Sequence, residues 1–170
     1  MSTEKLVEAM VQHRGIAYLR TTRMGTPVIY GNDEEFAIGG SKVLRRSGSD
    51  LATVIAAGVT LFEALKAYEE LKKAGIAVRV IDLYSLKPVD EATLKEAAGA
   101  TKFLVTVEDH YPEGGLGEAV RSALAAAPVP VYSLAVRRKP KSGKPAELLD
   151  YEEISQNAIV NLVKKVKEML

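Results

Sequence analysis

Three short stretches of this chain hold residues whose types and spacing could carry chemistry. The first is Glu108-Asp109-His110, which follows Phe103–Val107, an apolar run that predicts a β-strand. Open α/β sheets bind ligands beyond the carboxyl ends of their strands, and neighbouring carboxylates tune the proton affinity of a histidine. His110 is therefore a candidate acid–base or hydrogen-bonding residue. The commoner alternative is an exposed loop whose polar side chains satisfy backbone groups.

The second stretch is glycine-rich and runs from Glu113 to Glu118, where an alanine-rich helix over 116–127 is predicted to begin. Free N–H groups at a helix start attract anions. The two glutamates would repel a phosphate, however, so the glycines favour close packing of the helix on a strand or on another subunit. The residues expected to form such an interface or a structural loop are Glu108, His110, Gly114 and Gly115.

The third stretch is Arg20-Thr-Thr-Arg23, which follows a predicted short strand, Ile16–Leu19. An arginine beside hydroxyl groups suits bidentate recognition of a phosphate or a carboxylate, and a solvated loop is the alternative. The basic run over 137–144 has no interleaved aromatic residues on which bases could stack. It is interpreted as a solvated loop.

Composition removes several classes of function. The chain has 170 residues, no cysteine, two histidines and a formal net charge of +1. Without cysteine there are no disulfides, thiolate nucleophiles or cysteine metal sites, and the balanced charge gives no general attraction to nucleic acid or anionic membrane. No Walker loop, dinucleotide fingerprint or G-x-S-x-G elbow is present. We expect a cytoplasmic protein whose catalysis is not assembled within this chain alone.

The elements that position these stretches alternate strictly between strand and helix. Apolar strands are predicted over 51–57, 76–83, 103–107 and 129–136. Two helices are predicted to begin with capping boxes. The helix after the first strand has Thr60 with Glu63, and the helix after the last strand has Asp150 with Glu153. Alternation of this kind gives right-handed crossovers and a mainly parallel sheet covered on both faces. The predicted architecture is a three-layer α/β/α sandwich.

The chain divides into three parts by pattern. Residues 1–36 hold one predicted helix and one strand, which cannot bury a core because a strand needs partners. We expect them to be the tail end of a preceding domain, held loosely or docked on a neighbour. Residues 37–50, rich in Gly, Ser and charge, are predicted to be a linker able to add an edge strand, and residues 51–170 the main domain.

Several segments resemble the transketolase family. Thr53-Val-Ile-Ala-Ala-Gly-Val-Thr-Leu61 and Val107-Glu-Asp-His-Tyr-Pro-Glu-Gly-Gly-Leu-Gly-Glu-Ala-Val120 resemble its C-terminal domain, as do Leu83–Pro88 and Ser142–Leu149. Tyr18–Arg23 and Ile29–Asn32 look like the end of the preceding pyrimidine-binding domain. The resemblance runs along essentially the whole chain in the family's order. It is strongest toward animal-like and split prokaryotic transketolases.

This resemblance implies transfer of a two-carbon ketol unit between sugar phosphates by an enzyme that needs thiamin diphosphate and Mg²⁺. It implies that Arg23, which matches a family arginine after the last pyrimidine-domain strand, contacts the sugar phosphate. In the family, the C-terminal domain carries no cofactor ligands and is assigned a role in subunit contact or regulation. The resemblance therefore implies no catalytic, cofactor-binding or metal-binding residues in this chain. The implied partners are the N-terminal thiamin-binding domains or subunit, within a homodimer.

Two departures from the family pattern qualify that expectation. The G-D-G…N motif that holds Mg²⁺ and the diphosphate is absent, as is the segment with the cofactor-activating glutamate. We therefore expect the chain to be inactive and cofactor-free alone, as a fragment or as one subunit of a split enzyme. Two alternatives stay open. One is a domain of a related thiamin enzyme, of the dehydrogenase E1 beta type or deoxyxylulose-phosphate synthase, and the other is a non-catalytic interaction module.

Overall fold

The computed structural model describes residues 2–23 and 25–170. Its elements, in chain order, are α1 (Ser2–Gln12), β1 (Lys42–Arg45), β2 (Ala52–Ala56), α2 (Val59–Lys73), β3 (Val78–Asp82), α3 (Glu91–Ala100), β4 (Phe103–Val107), α4 (Leu116–Ala123), β5 (Val131–Leu134), α5 (Pro145–Tyr151) and α6 (Gln156–Glu168). No helix of the described part is long and apolar enough to cross a membrane.

The five strands form one sheet in the order β1-β3-β2-β4-β5. β2, β3, β4 and β5 run parallel, as the alternation predicts, and β1 pairs with β3 antiparallel at one edge. The predicted three-layer α/β/α sandwich is confirmed, and the linker contributes the edge strand that its apolar residues allowed. The carboxyl ends of β3, β2 and β4 meet at one edge of the sheet, which brings Asp82 and Glu108 to the same side of the domain.

The core lies on both faces of the central strands. Every residue of β2, β3 and β4 is buried. On one face, α2 and α6 contribute Leu61, Ala64, Leu71, Ile159 and Val163. On the other face, α3 and α4 contribute Leu94, Ala97, Leu116 and Val120. Burial on both faces explains why these strands read as continuous apolar runs rather than as alternating ones.

The structure corrects the prediction of a strand at Ile16–Leu19. These residues lie outside any helix or strand, and the side chains of Ile16 and Tyr18 are almost fully exposed. A β-strand is stabilised by its neighbours, and no strand pairs with this segment within the described residues. The apolar pattern is present without the partner that would make it a strand.

Both predicted capping boxes are wrong. Helix α2 begins at Val59 with Gly58 as its N-cap, and the Thr60 hydroxyl donates to carbonyls at the ends of β2 and β4 instead. Asp150 lies inside α5, which Pro145 opens, and α6 is capped by Ser155, whose side chain accepts from the Ala158 N–H. The Thr60 hydroxyl therefore binds carbonyls at the strand ends and does not cap the helix as the local pattern had predicted.

Helix α4 ends at Ala123, earlier than the predicted 127. Pro128 follows Ala127, and the residue before a proline is disfavoured in the helical region. Turns over 124–126 therefore replace the last predicted turn of the helix.

The described residues of the N-terminal segment, 2–23 and 25–36, differ in burial. No residue of α1 is buried. Tyr30 and Phe36, in contrast, are buried, and their rings pack edge to face with centroids 4.9 Å apart. Phe36 also packs on Tyr84, just beyond β3. The end of this segment is therefore part of the packed domain, while the division into tail, linker and main domain stays a prediction.

Candidate functional site at the carboxyl edge of the sheet

Glu108 links the end of β4 to the start of α4. It is almost fully buried, and its carboxylate accepts hydrogen bonds from the N–H groups of Leu116 (2.6 Å) and Gly117 (2.9 Å). A carboxylate is favoured at a helix N-terminus by the helix dipole and by unpaired N–H groups. Burial raises the pKa of Glu108 even though these two hydrogen bonds oppose the rise. The anion that the glycine-rich helix start attracts is thus a side chain of the domain itself.

The glycines of this loop allow that close approach. Gly114 has φ of 69°, in the left-handed region that glycine adopts without strain. A Cβ added to Gly115 would lie 1.9 Å from a Glu108 carboxylate oxygen. Position 115 therefore requires glycine, because the Glu108 carboxylate occupies the space that a Cβ would fill. Gly115 lies against Glu108 at the end of β4, whereas an added Cβ at Gly114 would meet no atom within 4 Å. The interface or structural-loop role considered for Gly114 and Gly115 stays a prediction.

The loop that carries Asp109 and His110 is held on both sides by hydrogen bonds to β5 and to Val136, which follows β5. The Glu108 N–H donates to the Leu134 carbonyl (3.0 Å), and the Val136 N–H donates to the His110 carbonyl (2.9 Å). The pairing of β4 with β5 therefore continues past the ends of both strands. The His110 ring is exposed, with Nδ1 2.8 Å from the Tyr111 carbonyl oxygen. These contacts are structural, and the acid–base role considered for His110 stays a prediction.

Arg20 joins the N-terminal segment to this loop. Its Nη1 donates to the Asp109 carbonyl at 2.6 Å, and its Nη2 lies 3.3 Å from the Asp109 carboxylate. Both side chains are about half exposed, so the ion pair itself contributes about 0–1 kcal/mol. Arg23, the predicted substrate contact, is exposed three residues further along. The sequence did not predict this contact because its partners lie 89 residues apart.

A second polar cluster lies at the end of β3. The Tyr30 hydroxyl donates to the buried Asp82 carboxylate, and Lys42 pairs with Glu34 while its ammonium lies 4.7 Å from the centre of the Phe36 ring. Burial raises the pKa of Asp82 to about 6, although the bond from Tyr30 and the charge of Lys42 oppose the rise. Burial, with the Asp82 charge, also raises the pKa of Tyr30. No local spacing signals this cluster, because its members come from separate segments.

In residues 2–23 and 25–170, no group of three or more His, Asp or Glu side chains is placed to hold a metal ion. An open polar cleft of about 330 Å³ shares no residue with the Glu108–His110 loop. Its lining residues are Leu134, Asp150, Glu153, Ser155, Asn157, Ala158 and Asn161.

Comparison with known proteins decides the family. Residues 39–159 match the family model "Transketolase, C-terminal domain". The chain belongs to the transketolase family. It is 49% identical to the transketolases of Mus musculus and Homo sapiens, in each case over 96% of the chain and 27% of the relative. The chain thus spans about a quarter of the length of these relatives.

Solved structures agree with this membership. A structure described as "Split gene transketolase, inactive beta4 tetramer" superposes with a TM-score of 0.90 at 35% identity, over 96% of this chain and 54% of that one. Transketolase from Campylobacter jejuni superposes with a TM-score of 0.56 at 18% identity, over 82% of this chain and 20% of that one. The second similarity supports the fold alone. The predicted resemblance to the transketolase C-terminal domain is confirmed.

Proposed function

We propose that this chain supplies the C-terminal part of a transketolase that transfers a two-carbon ketol unit from a ketose phosphate to an aldose phosphate. The observation that carries the proposal is the 49% identity with mouse and human transketolases along 96% of the chain, which includes the family domain and extends beyond it. A homodimer and a cytoplasmic location belong to the same proposal.

Thiamin diphosphate would supply the electron sink for the carbanion chemistry of this reaction. The residues described here do not fit a site for it. The N–H groups at the start of α4 that could meet a diphosphate are held by Glu108, and the described carboxylates form no metal-binding group. We therefore assign the cofactor and Mg²⁺ to thiamin-binding domains in the same enzyme or in a partner subunit.

In this proposal the chain contributes Arg23 to substrate binding. Arg23 is exposed and lies on the segment that Arg20 holds against the domain. A guanidinium makes charge-assisted hydrogen bonds to a phosphate, each contributing about 1.5–3 kcal/mol. In the complete enzyme, Arg23→Ala should lower kcat/KM about a hundredfold for phosphorylated substrates and much less for unphosphorylated analogues. Steady-state kinetics on both substrate classes test this.

His110→Ala is the matched control for Arg23→Ala. His110 is exposed on the loop that Arg20 contacts, and its ring bonds only locally to the Tyr111 carbonyl. We expect His110→Ala to change stability or dimerisation while phosphate selectivity is kept. Equal losses for phosphorylated and unphosphorylated substrates in Arg23→Ala would make Arg23 a solvated loop residue.

The function is tested by a chimera in which residues 1–170 replace the matching C-terminal part of mouse transketolase. We expect the chimera to bind thiamin diphosphate and to transfer the ketol unit. The mouse protein without its C-terminal part is the negative control. A chimera that is folded, dimeric and fully loaded with cofactor, yet inactive, would contradict the proposal. Such a result would favour the non-catalytic interaction module.

A further inference from the structure

We propose that Asp109 is a positioning residue that acts through Arg20 to fix Arg23, so that the strand-end loop of this domain sets the geometry of phosphate recognition. The phosphate part of this inference rests on the proposed function of Arg23. The structural part rests on the hydrogen bonds from the Arg20 guanidinium to the Asp109 carbonyl (2.6 Å) and carboxylate (3.3 Å).

Asp109 is a firm attachment point because its neighbours are held on both sides. Glu108 is tied to β5 through its N–H and to the start of α4 through its carboxylate. His110 is tied to Val136 through its carbonyl. A segment that docks on Asp109 therefore docks on the sheet and on α4, rather than on a free loop.

The distance along the chain from Arg20 to Arg23 makes the contact effective. Three residues of extended chain span at most about 11 Å, so a fixed Arg20 confines the backbone at Arg23. Among the described residues beyond Arg23, the first buried one is Tyr30, seven residues further on. Seven residues span up to about 25 Å. Tyr30 therefore confines the backbone at Arg23 less closely than Arg20 does.

The charges divide the work between the two arginines. The Arg20 guanidinium already has an acidic partner in Asp109, which makes it a weaker attractor for an incoming anion. Arg23 carries the same charge three residues away and is exposed. Arg20 therefore anchors the segment by pairing with Asp109, and Arg23 stays available to bind the phosphate.

The first test measures the segment in the 170-residue chain itself. The chain has no cysteine, so spin labels on Gly25→Cys and Ser122→Cys report one distance. An added Cβ at Gly25 meets no atom within 4 Å, and Ser122 is exposed on α4. We expect one narrow distance distribution, which Arg20→Ala broadens about twofold because the tether lengthens. Arg14→Ala removes the same charge from the same segment and should leave the width unchanged. An unchanged width in Arg20→Ala would overturn the inference.

The second test uses the active chimera. Arg20→Ala should raise KM for phosphorylated substrates about tenfold more than KM for unphosphorylated ones, with kcat less affected. Asp109→Asn should show the same selectivity in weaker form, because the Asp109 carbonyl still accepts from Arg20, and Asp109→Glu should restore part of it. Loss shared equally by both substrate classes would overturn the positioning role. Should the parent chimera lack transketolase activity, the proposed function fails, and the spin-label widths still decide whether Arg20 fixes the segment.

Discussion

At the scale of single residues, Glu108 contributes to stability because its carboxylate joins the end of β4 to the start of α4. Glu108→Ala leaves the buried N–H groups of Leu116 and Gly117 without their acceptor. Each unsatisfied buried donor costs about 1–3 kcal/mol, so we expect the free energy of unfolding to fall by about 2–6 kcal/mol. Urea denaturation with an unchanged m-value is the measurement. Glu108→Gln keeps the volume and one acceptor and should lose less.

The matched control is Glu113→Ala, in the same loop. Glu113 is exposed, and surface substitutions away from specific contacts stay within about 0.5 kcal/mol. Similar losses in Glu108→Ala and Glu113→Ala would show that the carboxylate of Glu108 does not tie α4 to β4.

At the scale of elements, residues 30–36 are packed on the end of β3 around a titratable group. The folded-state pKa of Asp82 is raised to about 6 by burial, whereas an unfolded aspartate titrates near 4. The folded state therefore binds the proton more tightly, and stability falls as the pH rises from about 4 to about 7. A difference of about two pKa units corresponds to about 3 kcal/mol.

Asp82→Asn should remove this pH dependence. The groups that interact with Asp82, namely Tyr30, Lys42 and Tyr84, are the same in both proteins, as is Glu34, which pairs with Lys42. The difference between the two proteins therefore isolates Asp82. We expect the unfolding free energy of the wild type, minus that of the variant, to fall by about 2 kcal/mol between pH 4 and pH 7. Parallel pH profiles would rule out a raised pKa at Asp82.

The same packing predicts what two truncations do. A chain that begins at Pro27 loses α1, which has no buried residue, and the half-exposed pair of Arg20 with Asp109. Its unfolding free energy should fall by less than about 1 kcal/mol. A chain that begins at Ser47 also loses buried Tyr30 and Phe36 and the pairing of β1 with β3. Burying one large apolar side chain contributes about 1.5–3 kcal/mol, so we expect a loss of about 3 kcal/mol or more.

The exposed edge of β3 gives the second truncation a further signature. An unpaired strand edge is a template for association with another chain. Sedimentation should therefore detect oligomers of the chain that begins at Ser47, but not new ones of the chain that begins at Pro27. Equal stability of the two truncations would show that residues 30–45 are dispensable for the domain.

At the scale of the whole molecule, the proposed function predicts that this chain alone binds no thiamin diphosphate. Glu108 occupies the N–H groups of the glycine-rich helix start, and the described carboxylates make no metal group. Calorimetric titration with thiamin diphosphate and Mg²⁺ should give no binding heat, and the loaded chimera is the positive control. Micromolar binding by the isolated chain would show that a cofactor site exists here.

The sequence by itself determined the alternation of strands and helices and, through it, the layered fold. Phe103–Val107 is a strand in both the prediction and the structure. A short run of apolar, β-branched and aromatic residues favours a strand, and this composition is a local property of the chain. The match of the Glu108 region to the transketolase C-terminal domain can also be recognised from the sequence, since a long and specific motif is identified without knowing which residues are in contact.

Only the tertiary structure decided where the polar side chains point. Ile16–Leu19 has the composition of a strand and lacks a neighbour, and Thr60 has the spacing of a cap but bonds to strand carbonyls. The partners of Arg20 and Tyr30 lie 89 and 52 residues away. Local patterns encode burial and backbone preference. The partner of a hydroxyl, a guanidinium or a carboxylate depends on which distant segments the folded sheet brings to the same edge.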